Sequence, residues 1–238
     1  MNCESILITG VGQRLGYHLA STCLKRGIGI IGTFRKDREN LDQLKSLGAE
    51  LYRCDFNRPE QIEQLIADVN SRHQRLRAII HNASEWLPDN TETSPAEILQ
   101  RMMQVHVSAP YQLNLGLAPL LQASERPYAD IIHIGDYVSR RGSRKHIAYA
   151  ASKAAQDNLT LSFAAKLAPK IKVNSIAPAL ILFNEQDDDD YRTKALAKNL
   201  LHREGGLDEF QRAVDYLLDS EFTTGQILPL DGGRHLIA

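Results

Sequence analysis

Cysteine is scarce: Cys3, Cys23 and Cys54 are odd in number, widely spaced and free of any CxxC pair. A disulfide scaffold is excluded, and a reducing cytoplasm is the expected compartment. Net charge is nearly absent too, since 28 basic and 29 acidic residues leave −1. Nucleic-acid binding needs an excess of cations, so no nucleic-acid partner is expected. No apolar run approaches the roughly 20 residues that cross a bilayer, so no membrane is expected either. The opening MNCESILITG enters a strand pattern almost at once, and the expectation is a chain without a signal peptide. None of the eight histidines has a partner at metal-ligand spacing such as HExxH, so no metal is expected. The four Asp at 187–190 read as a solvated run at a helix N-terminus, where negative charge is favourable.

What is present is a 43% hydrophobic share over 238 residues, which rules out disorder. A domain of that size buries roughly 70–75% of the surface its unfolded chain exposes. It needs no staple. Short β-branched runs (Ile6–Ile8, Ile30–Ile31, Ile79–Ile80, Ile131–Ile134, 172–175 and Ile227–Leu230) alternate with segments of helical spacing. Helices are predicted over 41–47, with Gly48 as stop, and over 59–76, with Asn57 as cap and Pro59 in the first turn. Ser94-Pro95-Ala96-Glu97 reads as a capping box, and further helices are predicted over 149–168 and from Ala195 to Leu200. Strand and helix alternating about six times, with no linker, predict a single α/β domain over 1–238. Its architecture is a doubly wound Rossmann domain: a parallel sheet of about seven strands, with helices on both faces.

Thr9-Gly10-Val11-Gly12-Gln13-Arg14-Leu15-Gly16 directly follows the first strand. Glycine at the strand end permits a tight turn, and glycine in the first helical turn permits close packing on the sheet. The helix N-terminus then offers free N–H groups to a pyrophosphate. The second strand ends in Thr33-Phe34-Arg35-Lys36, where an NAD-binding site would carry a carboxylate. Two cations suit the 2′-phosphate of NADPH instead.

Tyr149 and Lys153 are spaced i, i+4 on one predicted helix and share a face. A nearby ammonium favours tyrosinate and lowers an ordinary phenol pKa near ~10. Asp136 follows the fifth strand, thirteen residues before Tyr149, so a strand end and a helix start converge at the carboxyl edge of the sheet.

Together these motifs resemble the short-chain dehydrogenase/reductase family along nearly the whole chain. The likeness is carried by Thr9–Gly16, Asp55, Asn82-Ala83, Tyr149 with Lys153, Val173-Asn174 with Pro178, and Asp231-Gly232-Gly233. Three departures are similar to the pteridine reductases within it: Arg14 for the middle glycine, Ser84 after Asn82-Ala83, and Asp136 for the usual catalytic Ser. The resemblance implies hydride transfer from NADPH to C6 of a 7,8-dihydropterin, with a proton delivered to N5 and a side activity on dihydrofolate. It implies that Gly10, Arg14, Leu15 and Gly16 meet the pyrophosphate, Arg35 and Lys36 the 2′-phosphate, and Asp55 the adenine. Asn82 and Lys153 would meet the nicotinamide ribose, with Ile181 also on the cofactor. Tyr149, Lys153 and Asp136 are the expected catalytic set; Arg14, Ser84, Trp86, Asp136 and Tyr149 are expected at the pterin. Trp86 reads as a stacking platform or as a half-buried core residue. His106 stands where the family has an Asn; it either holds a relay water or is a satisfied helix histidine. An Asp beside Tyr149 would oppose tyrosinate and keep the phenol a donor. The resemblance further implies a homotetramer or homodimer through helices near 94–122 and 149–168, although apolar stripes there fit a single core equally well. The rival readings are a carbonyl or 3-oxoacyl reductase and a non-catalytic NADPH-binding protein.

Overall fold

Seven strands lie side by side as one parallel sheet among the described residues: β1 (Ser5–Ile8), β2 (Ile30–Phe34), β3 (Glu50–Arg53), β4 (Leu76–His81), β5 (Ala129–Ile134), β6 (Ile171–Pro178) and β7 (Ile227–Leu230). All but the edge strand β3 are rich in Ile, Leu or Val. The computed structural model describes residues 4–89 and 92–237. Cys3 and the first residues of MNCESILITG, on which the signal-peptide expectation rests, lie outside them. Successive strand residues point to opposite faces. Leu7, Ile79, Ile131 and Val173 enter one apolar layer, while Ile6, Ile8, Ile80 and Ile132 enter the other. Both faces are therefore covered.

The chain runs through α1 (Arg14–Lys25), α2 (Asn40–Ser46), α3 (Pro59–Arg72), α4 (Pro95–Met103), α5 (Ala109–Gln122), α6 (Ile147–Leu167), α7 (Asp189–Leu196) and α8 (Leu207–Asp219). Leu19, Leu41, Leu44 and Phe210 bring α1, α2 and α8 onto one face. Ile62, Leu65, Leu113 and Phe163 bring α3, α5 and α6 onto the other. The strand order β3-β2-β1-β4-β5-β6-β7 reverses between β1 and β4. Connections leave in opposite directions there, opening a crevice at the carboxyl ends of the strands. No helix among the described residues is long and apolar enough to cross a membrane.

Several boundaries differ from the sequence expectation. The helix expected over 59–76 stops at Arg72, because Leu76 opens β4 and pairs with Ser5. Its N-cap position is Arg58, without a side-chain cap; Asn57 instead gives its amide to Asp55 and Glu85. The long helix starts at Ile147 and ends at Leu167. The helix expected to reach Leu200 ends at Leu196. Asp188 caps it by accepting from the Tyr191 N–H at 2.7 Å, with Asp189 and Asp190 in the first turn. Ser94 likewise caps α4 by accepting from the Glu97 N–H. A five-residue π-helical stretch, Gln104–Ser108, joins α4 to α5 and carries His106.

Candidate active site

The turn after β1 is shaped by close approach. Gly10 has φ +75°, and a Cβ there would lie 2.9 Å from the Ala83 backbone. A Cβ on Gly16 would lie 2.2 Å from the Gly10 carbonyl oxygen. Only glycine fits at either position. Asn82 pins the turn from β4, donating its amide to the Thr9 and Gly10 carbonyls at 2.9 and 3.1 Å. α1 then begins with neither a side-chain cap nor an acidic residue in its first turn, so its dipole faces the crevice uncompensated. Arg14 sits at φ +51°, a left-handed conformation that costs a non-glycine residue roughly 1 kcal/mol. Its guanidinium spans the crevice mouth to Asn184 Oδ1 and, at 3.1 Å, to the Leu182 carbonyl.

A cleft of about 320 Å³ extends from this turn. Of the residues expected at a cofactor, Gly10, Arg14, Leu15, Gly16, Arg35, Lys36, Asp55 and Asn82 line it, and so does Ser84. The cationic rim holds a group the sequence reading missed. Glu85 receives Arg35 at 3.2 Å and Asn57 at 3.0 Å, and it also pairs with Arg101. Burial opposes its ionisation, but these partners together hold its carboxyl below the ordinary value. Arg38, from the same loop as Arg35, also lines the cleft. Glu85 was legible only as a lone carboxylate beside Trp86; nothing in the spacing ties it to Arg35.

The second half of the site is dry. The Tyr149 hydroxyl donates to Asp136 Oδ2 at 2.8 Å, so the strand end and the helix start do converge. Asp136 also accepts from the Val138 N–H at 3.0 Å, which fixes its carboxylate. Burial pushes the Asp136 carboxyl above its ordinary range. Burial and the facing Asp136 charge drive the Tyr149 phenol well above its own. Lys153, expected to act on Tyr149 from its i, i+4 position, makes its hydrogen bonds elsewhere. Lys153 turns beneath the helix, donating to the Ile134 carbonyl at 2.7 Å and to Gln156 Oε1 at 3.3 Å. Burial brings its ammonium down to about 8. The carboxylate bonds the hydroxyl, while the Lys153 ammonium stands 5.8 Å from the centroid of the Tyr149 ring.

Asp136, Tyr149 and Lys153 lie outside the lining of the cleft, as do Trp86 and Ile181. Trp86 is 59% exposed, with its indole 4.0 Å from the His146 ring at the head of α6. Ile181 is 5% exposed, its side chain belongs to the α1/α8 core layer, and its carbonyl accepts from the Gly206 N–H at 2.9 Å. Beneath the site runs a ladder that the sequence did not announce. His81 bonds Asn114 Oδ1 at 2.7 Å, Asn114 Nδ2 meets His133 Nε2 at 3.3 Å, and His133 Nδ1 meets Thr160 Oγ1 at 2.8 Å. His81 and His133 occupy paired positions on β4 and β5, the one signal that could have revealed the ladder.

The family model described as Enoyl-(Acyl carrier protein) reductase matches residues 10–235, and the chain belongs to the short-chain dehydrogenase/reductase family. It is 49% identical to the dihydromonapterin reductase of Escherichia coli (strain K12) over 97% of this chain and 96% of that one. It is 48% identical, over the same shares, to the dihydromonapterin reductase of Shigella flexneri. The crystal structure of FolM alternative dihydrofolate reductase 1 from Brucella suis, in complex with NADP, superposes with a TM-score of 0.87 at 26% identity. That match covers 100% of this chain and 96% of that one.

Proposed function

We propose that this chain reduces 7,8-dihydromonapterin to tetrahydromonapterin with NADPH, and reduces dihydrofolate more slowly. The observation that carries the reading is the Asp136 carboxylate accepting the Tyr149 proton at 2.8 Å, in a chain 49% identical to a dihydromonapterin reductase. A carbonyl substrate calls for a donor at that position. A dihydropterin instead presents ring N–H and amino groups, which a carboxylate accepts.

The residues present fit NADPH. The glycine-only turn and the uncapped start of α1 suit a pyrophosphate, and Arg35 and Lys36 at the end of β2 suit a 2′-phosphate. Gly10, Arg14, Leu15 and Gly16 would hold the pyrophosphate, Asp55 the adenine, Asn82 and Lys153 the nicotinamide ribose, and the Ile181 backbone the cofactor's far end. When bound, NADPH supplies the hydride. The chain orients the pterin through Arg14, Ser84 and Asp136, covers it with Trp86, and holds a proton on the Tyr149 hydroxyl for N5. A phenol with a raised pKa keeps its proton until the ring nitrogen becomes basic.

Two smaller readings go with this one. Leu99, Tyr111, Leu115 and Leu161 are exposed apolar residues on α4, α5 and α6, which supports a homodimer or homotetramer built through those helices. Cys23 and Cys54 are buried and unpaired, and burial pushes their thiols up to about 11 and about 12; this suits a reducing cytoplasm. The deciding experiment mixes purified protein with NADPH and, separately, 7,8-dihydromonapterin, dihydrofolate and a 3-oxoacyl thioester. Oxidation of NADPH fastest with the dihydropterin is expected. Turnover of the thioester alone would overturn the reading.

A further inference from the structure

We infer that His106 is a positioning residue that turns the Ser84 hydroxyl into a pure hydrogen-bond acceptor, so that the slot beside Tyr149 selects substrates rich in N–H donors. The inference rests on the dihydropterin reading above and explains how the slot acquires its polarity.

The argument begins with which ring nitrogen carries the proton. His106 is fully buried in the π-helical stretch between α4 and α5. Its Nε2 accepts from the Glu85 backbone N–H at 3.3 Å, and a backbone N–H can only donate. Nε2 is therefore unprotonated and the ring carries its proton on Nδ1. The opposite side of the ring gives the same answer independently. Nδ1 lies 2.8 Å from Ser152 Oγ, and the Ser152 hydroxyl spends its own proton on the Tyr149 carbonyl at 2.7 Å. Ser152 can only accept from Nδ1. Burial, with the Lys153 charge nearby, keeps the imidazole neutral by pulling its pKa well below the ordinary value.

With Nε2 an acceptor, the 2.8 Å contact between Ser84 Oγ and Nε2 has one polarity: the serine donates. Its proton points at the imidazole, and its lone pairs are left for the cleft that Ser84 lines. The Tyr149 ring stands edge-on to the His106 ring, their centroids 5.4 Å apart. The Tyr149 proton is already held by Asp136. Asp136 on the phenol and Ser84 on the neighbouring His106 ring are thus two oxygens that both ask for hydrogen. A carbonyl oxygen placed there would face lone pairs from both sides. A heterocycle with N–H groups would satisfy both, and leaving such acceptors unpaired is what makes discrimination of this kind large.

The test separates the two nitrogens of the ring. In His106→Gln the side-chain amide oxygen reaches the Nε2 position and can still accept from Ser84 and Glu85. In His106→Asn the shorter amide reaches only the Nδ1 position, keeping Ser152 and losing Ser84. Wild type, H106Q, H106N, S84A and the double variant S84A/H106N are assayed with NADPH and 7,8-dihydromonapterin, with NADPH binding measured by fluorescence titration. H106N and S84A are each expected to raise the pterin KM on the order of tenfold while NADPH affinity stays within about twofold. H106Q should recover most of that KM, and the double variant should be no worse than S84A alone. Equal losses in H106Q and H106N, additive losses in the double variant, or an unchanged KM in S84A would overturn the inference. S84A changes a residue on the open cleft and reports even if H106N folds poorly. A wild-type protein inactive on every dihydropterin would instead remove the functional reading on which the inference stands.

Discussion

The two ends of the site are built on opposite terms. At the cleft end the charged groups are solvated: the Arg35 side chain is 44% exposed, and Arg14 reaches across the cleft mouth from a left-handed backbone. At the Tyr149 end the polar groups are dry and committed. Asp136, Tyr149, Lys153, His106 and Ser152 hold each other or the backbone through specific hydrogen bonds. The difference follows from the work each end has to do. A charged ligand must enter and leave, so its cations stay solvated and exchange partners at low cost. On the proposed function a proton is delivered from a fixed place, which calls for a donor preorganised among buried dipoles. Arg35 shows the exchange in prospect, since its present partner, Glu85, is a carboxylate held where two other cationic or amide donors already satisfy it.

The contrast can be broken at the dry end most forcefully. Tyr149→Phe removes only the proton-bearing oxygen, and kcat should fall by about 10³ with NADPH affinity within about twofold. Stopped-flow single turnovers with the dihydropterin measure it; a loss under tenfold would move the proton source elsewhere. At the wet end, Arg35→Ala should weaken NADPH by roughly 10–30-fold and leave NADH unchanged, because only the former carries a phosphate for that guanidinium. Equal weakening of both would show that Arg35 serves the fold of the cleft, not its selectivity.

The smallest effect sharpens the comparison through pH. Burial holds His81 at about 4, below the ordinary 6.5, and pulls His106 and His133 well below that ordinary value too. Below pH 6.5 the unfolded chain binds protons that the folded chain refuses, so this contribution to stability is complete above 6.5 and is lost as pH falls toward 4. Asp130 acts in the opposite sense: burial raises it to about 6, and its protonation in the folded state adds stability as pH falls below that value. His81→Gln keeps a donor for Asn114 but removes the titration. Its urea midpoints at pH 7.5, 6 and 5 should show an acid slope flatter than wild type by about 1.4 kcal/mol per pH unit. Parallel slopes would mean that His81 titrates normally in the folded chain.

Much of this was legible in advance, and the exceptions have physical causes. The turn at Gly10–Gly16 was readable because close approach leaves glycine no substitute. Asp136 and Tyr149 were readable because a strand end and a helix face are local consequences of periodicity. The partners of Lys153 were not, because i, i+4 spacing says that it shares a helix face with Tyr149 but not that its ammonium bonds Ile134 and Gln156. Arg72 ending α3 was missed because Leu76 continues the helical stripe in sequence while pairing with β1 in space. Trp86 was placed near the site by its neighbours in sequence, yet its partner is His146, some sixty positions away.

The sequence alone determined the parallel sheet, the layers on its two faces and the glycine turn after β1. Each of these rests on spacing along one segment: alternation by two, recurrence by three and four, or glycine where a Cβ cannot fit. Only the tertiary structure decided where the protons sit. Whether Ser84 donates or accepts depends on His106, whose tautomer depends on the Glu85 backbone and on Ser152 from a different helix. A hydroxyl proton has no preference of its own; it follows whichever neighbours burial supplies, and those neighbours come from elements far apart in the chain.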